Sequence, residues 1–201
     1  MAEVTLADEV QARFDLARSA YPEGELEFMC ETVAEVKPDV IFEWGTGSGA
    51  SGRIFCEATG LVALANSWIG EPVDLVTIDL PDELAPLEAQ HPRERTGMYL
   101  PDRARISRLR GDGVTVSLAL WATNFADAYN KPLFFIDGDH SYFAVYREVA
   151  LIDRMVPNAV MLLHDTNDGP GLAAEKWCAD QRRHTFESIP GRTGIGRLVP
   201  V

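Results

Sequence analysis

Residues 39–49 read Asp39-Val40-Ile41-Phe42-Glu43-Trp44-Gly45-Thr46-Gly47-Ser48-Gly49. A short, nearly continuous apolar run closed by glycine predicts a buried parallel strand, because a strand covered on both faces carries apolar residues at successive positions. Gly45, Gly47 and Gly49 then predict a turn, and from Ala50 onward Ile54, Phe55, Ala58 and Leu61 recur at helical spacing. Strand, glycine turn and helix open a nucleotide-binding α/β unit.

The rest of the chain extends that unit. Toward the N-terminus, residues 3–20 are helical with Val10, Phe14, Leu16 and Ala17 turned inward, and Tyr21-Pro22-Glu23-Gly24 interrupts them. A second helix is expected over 25–36, carried by Leu26, Met29, Cys30, Val33 and Val36 and stopped before Lys37-Pro38. Toward the C-terminus, strands are predicted at 73–79, 104–109, 132–137 and 159–164, helices at 114–125, 143–155 and 172–182, and a closing strand pair at 185–189 and 195–201. Alternation of this kind gives an α/β fold, a Rossmann-like, mostly parallel sheet with helices on both faces and an antiparallel C-terminal strand pair. One domain over 1–201 is expected, with N-terminal helices in 1–36. Residues 81–103, rich in proline and charge, form a candidate lid or a plain surface excursion.

Thirty-one acidic against 18 basic residues give a formal charge of −13. Such a chain repels nucleic-acid phosphates and anionic membranes, so neither is an expected partner. No run approaches the ~18 apolar residues of a membrane span, and the first residues are acidic where a signal peptide is basic, so a cytoplasmic location is expected. Cys30, Cys56 and Cys178 are odd in number and widely spaced, which predicts reduced packing residues. His91 and His184 are expected at the surface. Trp44 sits inside the glycine motif and can border a ligand.

Two acids flank the glycine turn. Glu43 ends the first strand and Asp79 ends the next, both at the carboxyl edge where open α/β sheets bind ligands, and Asp79 is placed for a ribose diol. A dinucleotide fold wants G-x-G-x-x-G with its acid ~20 residues later, and Asp79 lies much further on. A P-loop pattern is missing from the sequence.

A second constellation follows the strand at 132–137: Ile136-Asp137-Gly138-Asp139-His140-Ser141-Tyr142. The next strand closes in the same way with His164-Asp165-Thr166-Asn167-Asp168. Carboxylates at a buried sheet edge are costly unless paired or bound to a cation. Asp137, His164 and Asp165 offer oxygen and nitrogen ligands for one divalent ion. Oxygen-rich sites suit Mg²⁺ or Mn²⁺, with Mg²⁺ the ion expected here, whereas His164 makes a transition metal more competitive. In the plainer alternative, His140-Ser141-Tyr142 caps the following helix and His164 is a satisfied strand-end histidine.

From Glu43-x-Gly45-x-Gly47-x-Gly49 onward the chain resembles the class I S-adenosylmethionine-dependent methyltransferases. That resemblance implies cofactor-binding roles for Glu43, Gly45, Gly47, Gly49, Asp79 and, in Gly111-Asp112-Gly113, Asp112 near adenine; a plain turn explains Asp112 equally. The later motifs resemble the metal-dependent O-methyltransferases of the cephalosporin hydroxylase and macrocin O-methyltransferase group. This implies metal positions at Asp137 and Asp165, with His164 where relatives carry an acid, and a general base at His140 or Asp139. The expected cofactors are S-adenosylmethionine and a divalent metal, and the expected partner is a hydroxylated small-molecule acceptor; homo-oligomerisation is left open. The alternatives are a cofactor-binding accessory protein without transferase activity and an iron oxygenase using His140, His164 and Asp165.

Overall fold

The computed structural model describes residues 4–22, 24–65, 73–80, 96–102, 105–122 and 128–201. Chain order gives α1 (Leu6–Arg13), α2 (Ala17–Ala20), α3 (Glu25–Val36), β1 (Val40–Trp44), α4 (Ala50–Ala65), β2 (Asp74–Asp79) and β3 (Ile106–Arg110). It continues with α5 (Gly113–Ala122), β4 (Pro132–Ile136), α6 (Tyr142–Met155), β5 (Val160–His164), α7 (Gly169–Gln181), β6 (His184–Ile189) and β7 (Ile195–Pro200). The sheet order is β3-β2-β1-β4-β5-β7-β6. β1 to β5 are parallel, while β7 runs antiparallel to both β5 and β6. The fold is Rossmann-like, as expected.

Side chains alternate across the central strands, which divides the core in two. Ile41, Leu75, Leu133, Phe135 and Leu162 pack under α1, α3 and α4. Val40, Phe42, Trp44, Val76, Phe134, Ile136 and Met161 pack under α6 and α7 on the other face. β1 and β4 are buried throughout because both their faces are covered. The order reverses between β1 and β4, each of which pairs with the other and runs outward to opposite edges. Ligands of open α/β sheets bind at such a switch point.

Differences from the expectations have local causes. The N-terminal helix breaks at Phe14, whose extended backbone caps α1, and the break turns Leu16 outward to 38 % exposure. Thr5 begins α1 with a capping box shared with Asp8. His184 is buried at 3 % exposure rather than at the surface, beside Asp153 of α6. Polar neighbours in sequence say nothing of the helix that covers an edge strand. Cys30 and Cys56 are buried, Cys178 is half-buried, and all are free thiols. Among the described residues no helix is long and apolar enough to cross a membrane.

Candidate functional site

β1 ends in a turn that brings the β1 and β4 termini together. Gly45 has φ +101°, and a Cβ there would stand 2.2 Å from the carbonyl oxygen of Asp137. Only glycine combines that backbone with that approach. The junction is tied by Gly45 N donating to Ile78 O at 2.8 Å and Asp137 N donating to Trp44 O at 2.9 Å.

Glu43 lies beneath this turn and is fully buried, so its carboxyl is outside the cavity wall. Ser51 Oγ donates to Oε1 and Thr77 Oγ1 donates to Oε2 at 2.5 Å. Thr77 spends its proton on Glu43, so Thr46 Oγ1, 2.5 Å away, is the donor to Thr77. Glu43 thus anchors the glycine loop from below through Thr77 and Thr46. Burial pushes its carboxyl up to about 7, against the two hydroxyl donors.

Above the loop opens a cavity of about 1190 Å³. Gly45, Gly47, Asp79 and Asp112 all line it, with Trp44 beside them. Small-molecule sites run to roughly 300–1,000 Å³, so this one has room for a cofactor and an acceptor together. Asp79 Oδ1 accepts from Leu80 N at 2.8 Å. Asp112 Oδ2 accepts from Thr115 N and Thr115 Oγ1 at 2.9 and 2.8 Å, so Asp112 also caps α5. Gly49 faces away from the cavity: it has φ +83°, and its Cβ would strike Leu100 at 2.8 Å. Residues 96–100, the described part of the candidate lid together with Pro101 and Asp102, lean on the glycine loop. Gly97 N donates to Gly47 O at 2.9 Å and Tyr99 N to Ser48 O at 3.0 Å. Residues 81–95 and 103 of that segment lie outside the described residues.

The β4 and β5 ends supply the second wall. Asp137, His164 and Asp165 each present a ligand atom within 4.8 Å of the others. His164 Nδ1 is 3.0 Å from Asp137 Oδ1 and 3.5 Å from Asp165 Oδ1. Asp165 has φ +55°, a left-handed conformation that Asp tolerates better than most residues. His140 Nδ1 lies 2.6 Å from Asp165 Oδ2, and its Nε2 lies 3.6 Å from Asp137 Oδ1. These two carboxylates raise the imidazole of His140 to about 10, Asp137 first, against a smaller opposing effect of burial. Burial works against the charged form of His164 too, but the Asp137 hydrogen bond and charge outweigh it and its pKa rises. Asp165 is lowered, because the His140 hydrogen bond and both histidine charges outweigh its desolvation.

Asp139 is exposed, and its Oδ1 accepts from Ser141 N at 2.8 Å. Ser141 caps α6 by accepting from Ala144 N at 3.3 Å. Helix capping therefore explains Ser141 and part of Asp139 but leaves His140 facing the carboxylates.

Several wall residues escaped the sequence reading. Tyr21, in the helix-breaking stretch Tyr21-Pro22-Glu23-Gly24, is buried with its ring edge-on to His164 at 5.2 Å and its hydroxyl 3.5 Å from Asp137 Oδ2. Its phenol is raised well above the ordinary range by burial. Glu25, at the start of α3, is 1 % exposed and reaches the β6–β7 turn, and Glu148 of α6 is pushed up to about 8 by burial. No spacing signal links these positions to residues 137–165; the fold alone joins them.

The family model for rhamnosyl O-methyltransferase/CmcI matches residues 20–181. Among curated proteins none is similar enough to match. A methyltransferase from Geobacter sulfurreducens is similar in structure, with a TM-score of 0.59 and 15 % identity over 100 % of this chain and 91 % of its own. SAH-bound PaMTH1 of Podospora anserina gives 0.57 and 16 %, over 96 % and 88 %. The O-methyltransferase TomG of Streptomyces achromogenes, involved in tomaymycin synthesis and solved with SAM, gives 0.56 and 15 %, over 100 % and 91 %. At such identities the likeness shows a shared fold.

Proposed function

We propose, from the premise that this chain belongs to the rhamnosyl O-methyltransferase/CmcI family and is an S-adenosylmethionine-dependent methyltransferase, that it methylates a hydroxyl group of a small molecule with the help of a divalent cation. The observation that carries the proposal is the convergence of Asp137, His164 and Asp165 on the wall of the cavity that Gly47 and Asp79 also line. Two carboxylates and one imidazole, drawn together at the ends of adjacent strands, fit a hard or borderline dication.

S-adenosylmethionine supplies the electrophilic methyl group, and a dication at this wall would lower the pKa of a hydroxyl bound to it. The chain's own residues do the rest. Gly45 and Gly47 let the cofactor approach the backbone, and Asp79 is placed for its ribose. Asp112 borders the adenine end, while Glu43 keeps the loop in shape from beneath. Asp137, His164 and Asp165 hold the acceptor side of the cavity, so the acceptor oxygen and the methyl carbon can be brought into line.

His140 is the base we assign, because it stands among the ligand residues and its imidazole can take a hydroxyl proton near neutral pH. It would serve with Asp137 and Asp165 holding a dication in place of its proton; without one it balances their charge. Asp139 is the second candidate, with one oxygen committed to Ser141.

The test is methyl transfer from radiolabelled S-adenosylmethionine to a panel of sugars, catechols and other hydroxylated compounds, with Mg²⁺, Mn²⁺ or chelator. Transfer that needs a dication and falls at least 100-fold in Asp137→Asn supports the proposal. Transfer unaffected by chelator and by that substitution would remove the cation from it.

A further inference from the structure

Glu25 belongs to none of the motifs above. It begins α3, is 1 % exposed, and divides its two oxygens between different tasks. Oε1 accepts from Thr193 N at 3.3 Å and from Gly194 N at 3.1 Å, which pins the β6–β7 turn. The turn is shaped to permit this, since a Cβ on Gly191 would stand 2.2 Å from Oε1. Oε2 has no hydrogen-bond partner among the described residues, although it is buried. It stands 3.8 Å from His164 Nε2, at which Thr193 Oγ1 also stands, at 3.0 Å.

A buried carboxylate oxygen without a donor is costly, and a structural clamp would need only Oε1. The second oxygen makes sense if His164 carries a proton on Nε2. The ring is then polarised from behind by Thr193 and Glu25, while Nδ1 faces Asp137 and Asp165, donating to Asp137 when no cation is held and free to give up that proton to one. Histidines that bind metals usually hold their other nitrogen in this way, against a carboxylate or carbonyl, and the outer partner typically changes metal affinity by 10–100-fold.

We propose that Glu25 is a positioning residue that keeps the proton of His164 on Nε2, so that Nδ1 is the atom offered to a cation shared with Asp137 and Asp165. The inference rests on the cation reading above. It also narrows that reading: an imidazole backed by a carboxylate is a better donor to a first-row transition dication than to Mg²⁺, which prefers oxygen ligands and its own water.

Glu25→Gln separates the two tasks. The amide oxygen can still accept from Thr193 N and Gly194 N, so the turn is kept, whereas the amide NH₂ now points a donor at Nε2. That favours the opposite tautomer, with the proton on Nδ1. Calorimetric titration of Co²⁺ alone and of Mg²⁺ alone is made into wild type, Glu25→Gln, His164→Asn and the double variant. Circular dichroism and thermal melting check folding, and the ¹⁵N shifts of His164 are read in Zn²⁺-loaded protein. Wild type is expected to bind Co²⁺ at least 10-fold more tightly than Mg²⁺, with Nδ1 showing the shift of a ligated nitrogen. Glu25→Gln should lose 10–100-fold in Co²⁺ affinity, and should lose nothing further when His164 is already Asn. Thr193→Val, a second variant that leaves Glu25 in place, should lose a smaller factor. Glu25→Gln binding Co²⁺ as wild type does, or losing as much in the His164→Asn background, would overturn the positioning role while leaving the cation reading standing. Wild type that binds neither ion would overturn both.

Discussion

Nδ1 of His140 stands 2.6 Å from Oδ2 of Asp165, so the residue assigned as base is held by one of the residues assigned to a cation. Asp137 and Asp165 together raise that imidazole from 6.5 to about 10. In the metal-free protein His140 is therefore an imidazolium at neutral pH. Its pairing stabilises the fold fully below about pH 6.5 and loses that contribution as pH rises through about 10. The prediction is an NMR titration midpoint for the His140 ring protons well above 8 in chelator, falling when a dication is added. A midpoint near 6.5 in chelator would contradict the pairing.

Glu43 shows the opposite kind of site, a carboxyl raised from 4.5 to about 7 by burial. A raised carboxyl favours the fold in its neutral form, so that contribution is present below about pH 4.5 and is lost as pH rises through about 7. Glu43→Gln removes this dependence. The stability of the variant relative to wild type should therefore improve by roughly 3 kcal/mol between pH 4 and pH 8, from the 1.36 kcal/mol of each pKa unit. Urea unfolding at several pH values reads the difference, and a difference that stays constant across that range would show Glu43 to be an ordinary acid.

Gly45→Ala tests the junction of β1 and β4. The new Cβ would collide with the Asp137 backbone at 2.2 Å and would force an L residue to φ +101°. We expect a loss of about 3 kcal/mol or more, at the upper end of single substitutions, together with loss of S-adenosylmethionine binding. Denaturant melts within 1 kcal/mol of wild type would mean that the two strand ends are less closely locked than Gly45 N–Ile78 O and Asp137 N–Trp44 O imply.

Leu100→Ala tests how residues 96–100 support the glycine loop. Leu100 is 7 % exposed and packs over Gly49 and Gly52. Truncating a buried leucine costs about 2–5 kcal/mol. Cofactor affinity should fall along with stability, by about tenfold if the loop loosens, and calorimetry measures it. Unchanged affinity with lowered stability would make the segment a packing element without influence on the loop.

The legible parts of the fold are those whose signals are local. The run at 40–44, the glycines that follow it and the alternation of apolar segments suffice for a parallel sheet, and every predicted strand and helix between 25 and 201 has its counterpart. The metal candidates were also legible, because Asp137 and His164-Asp165 end adjacent strands and a parallel sheet turns both ends to one side. What sequence could not show depends on packing across long separations. Glu25 meets Thr193 and Gly194, and Tyr21 meets His164, only because the N-terminal helices fold over the β4 and β5 ends. The burial of His184 follows from α7 packing on β6 and from Asp153 of α6 beside it, and the position of Glu43 below the loop follows from Ser51 and Thr77 presenting hydroxyls there. The resemblance implies a general base at His140 or Asp139, and no spacing reveals that two carboxylates hold the His140 proton.

Calorimetric titration of S-adenosylmethionine into wild type and Asp79→Ala, with a dication present and again with chelator, reads the cofactor site itself. We expect saturable one-site binding to wild type, a loss of at least tenfold in Asp79→Ala, and an affinity for the cofactor that survives chelation, since Asp79 and the glycine loop, and not the side chains of Asp137, His164 and Asp165, hold the cofactor. Folded wild-type protein that binds no S-adenosylmethionine under either condition would contradict it.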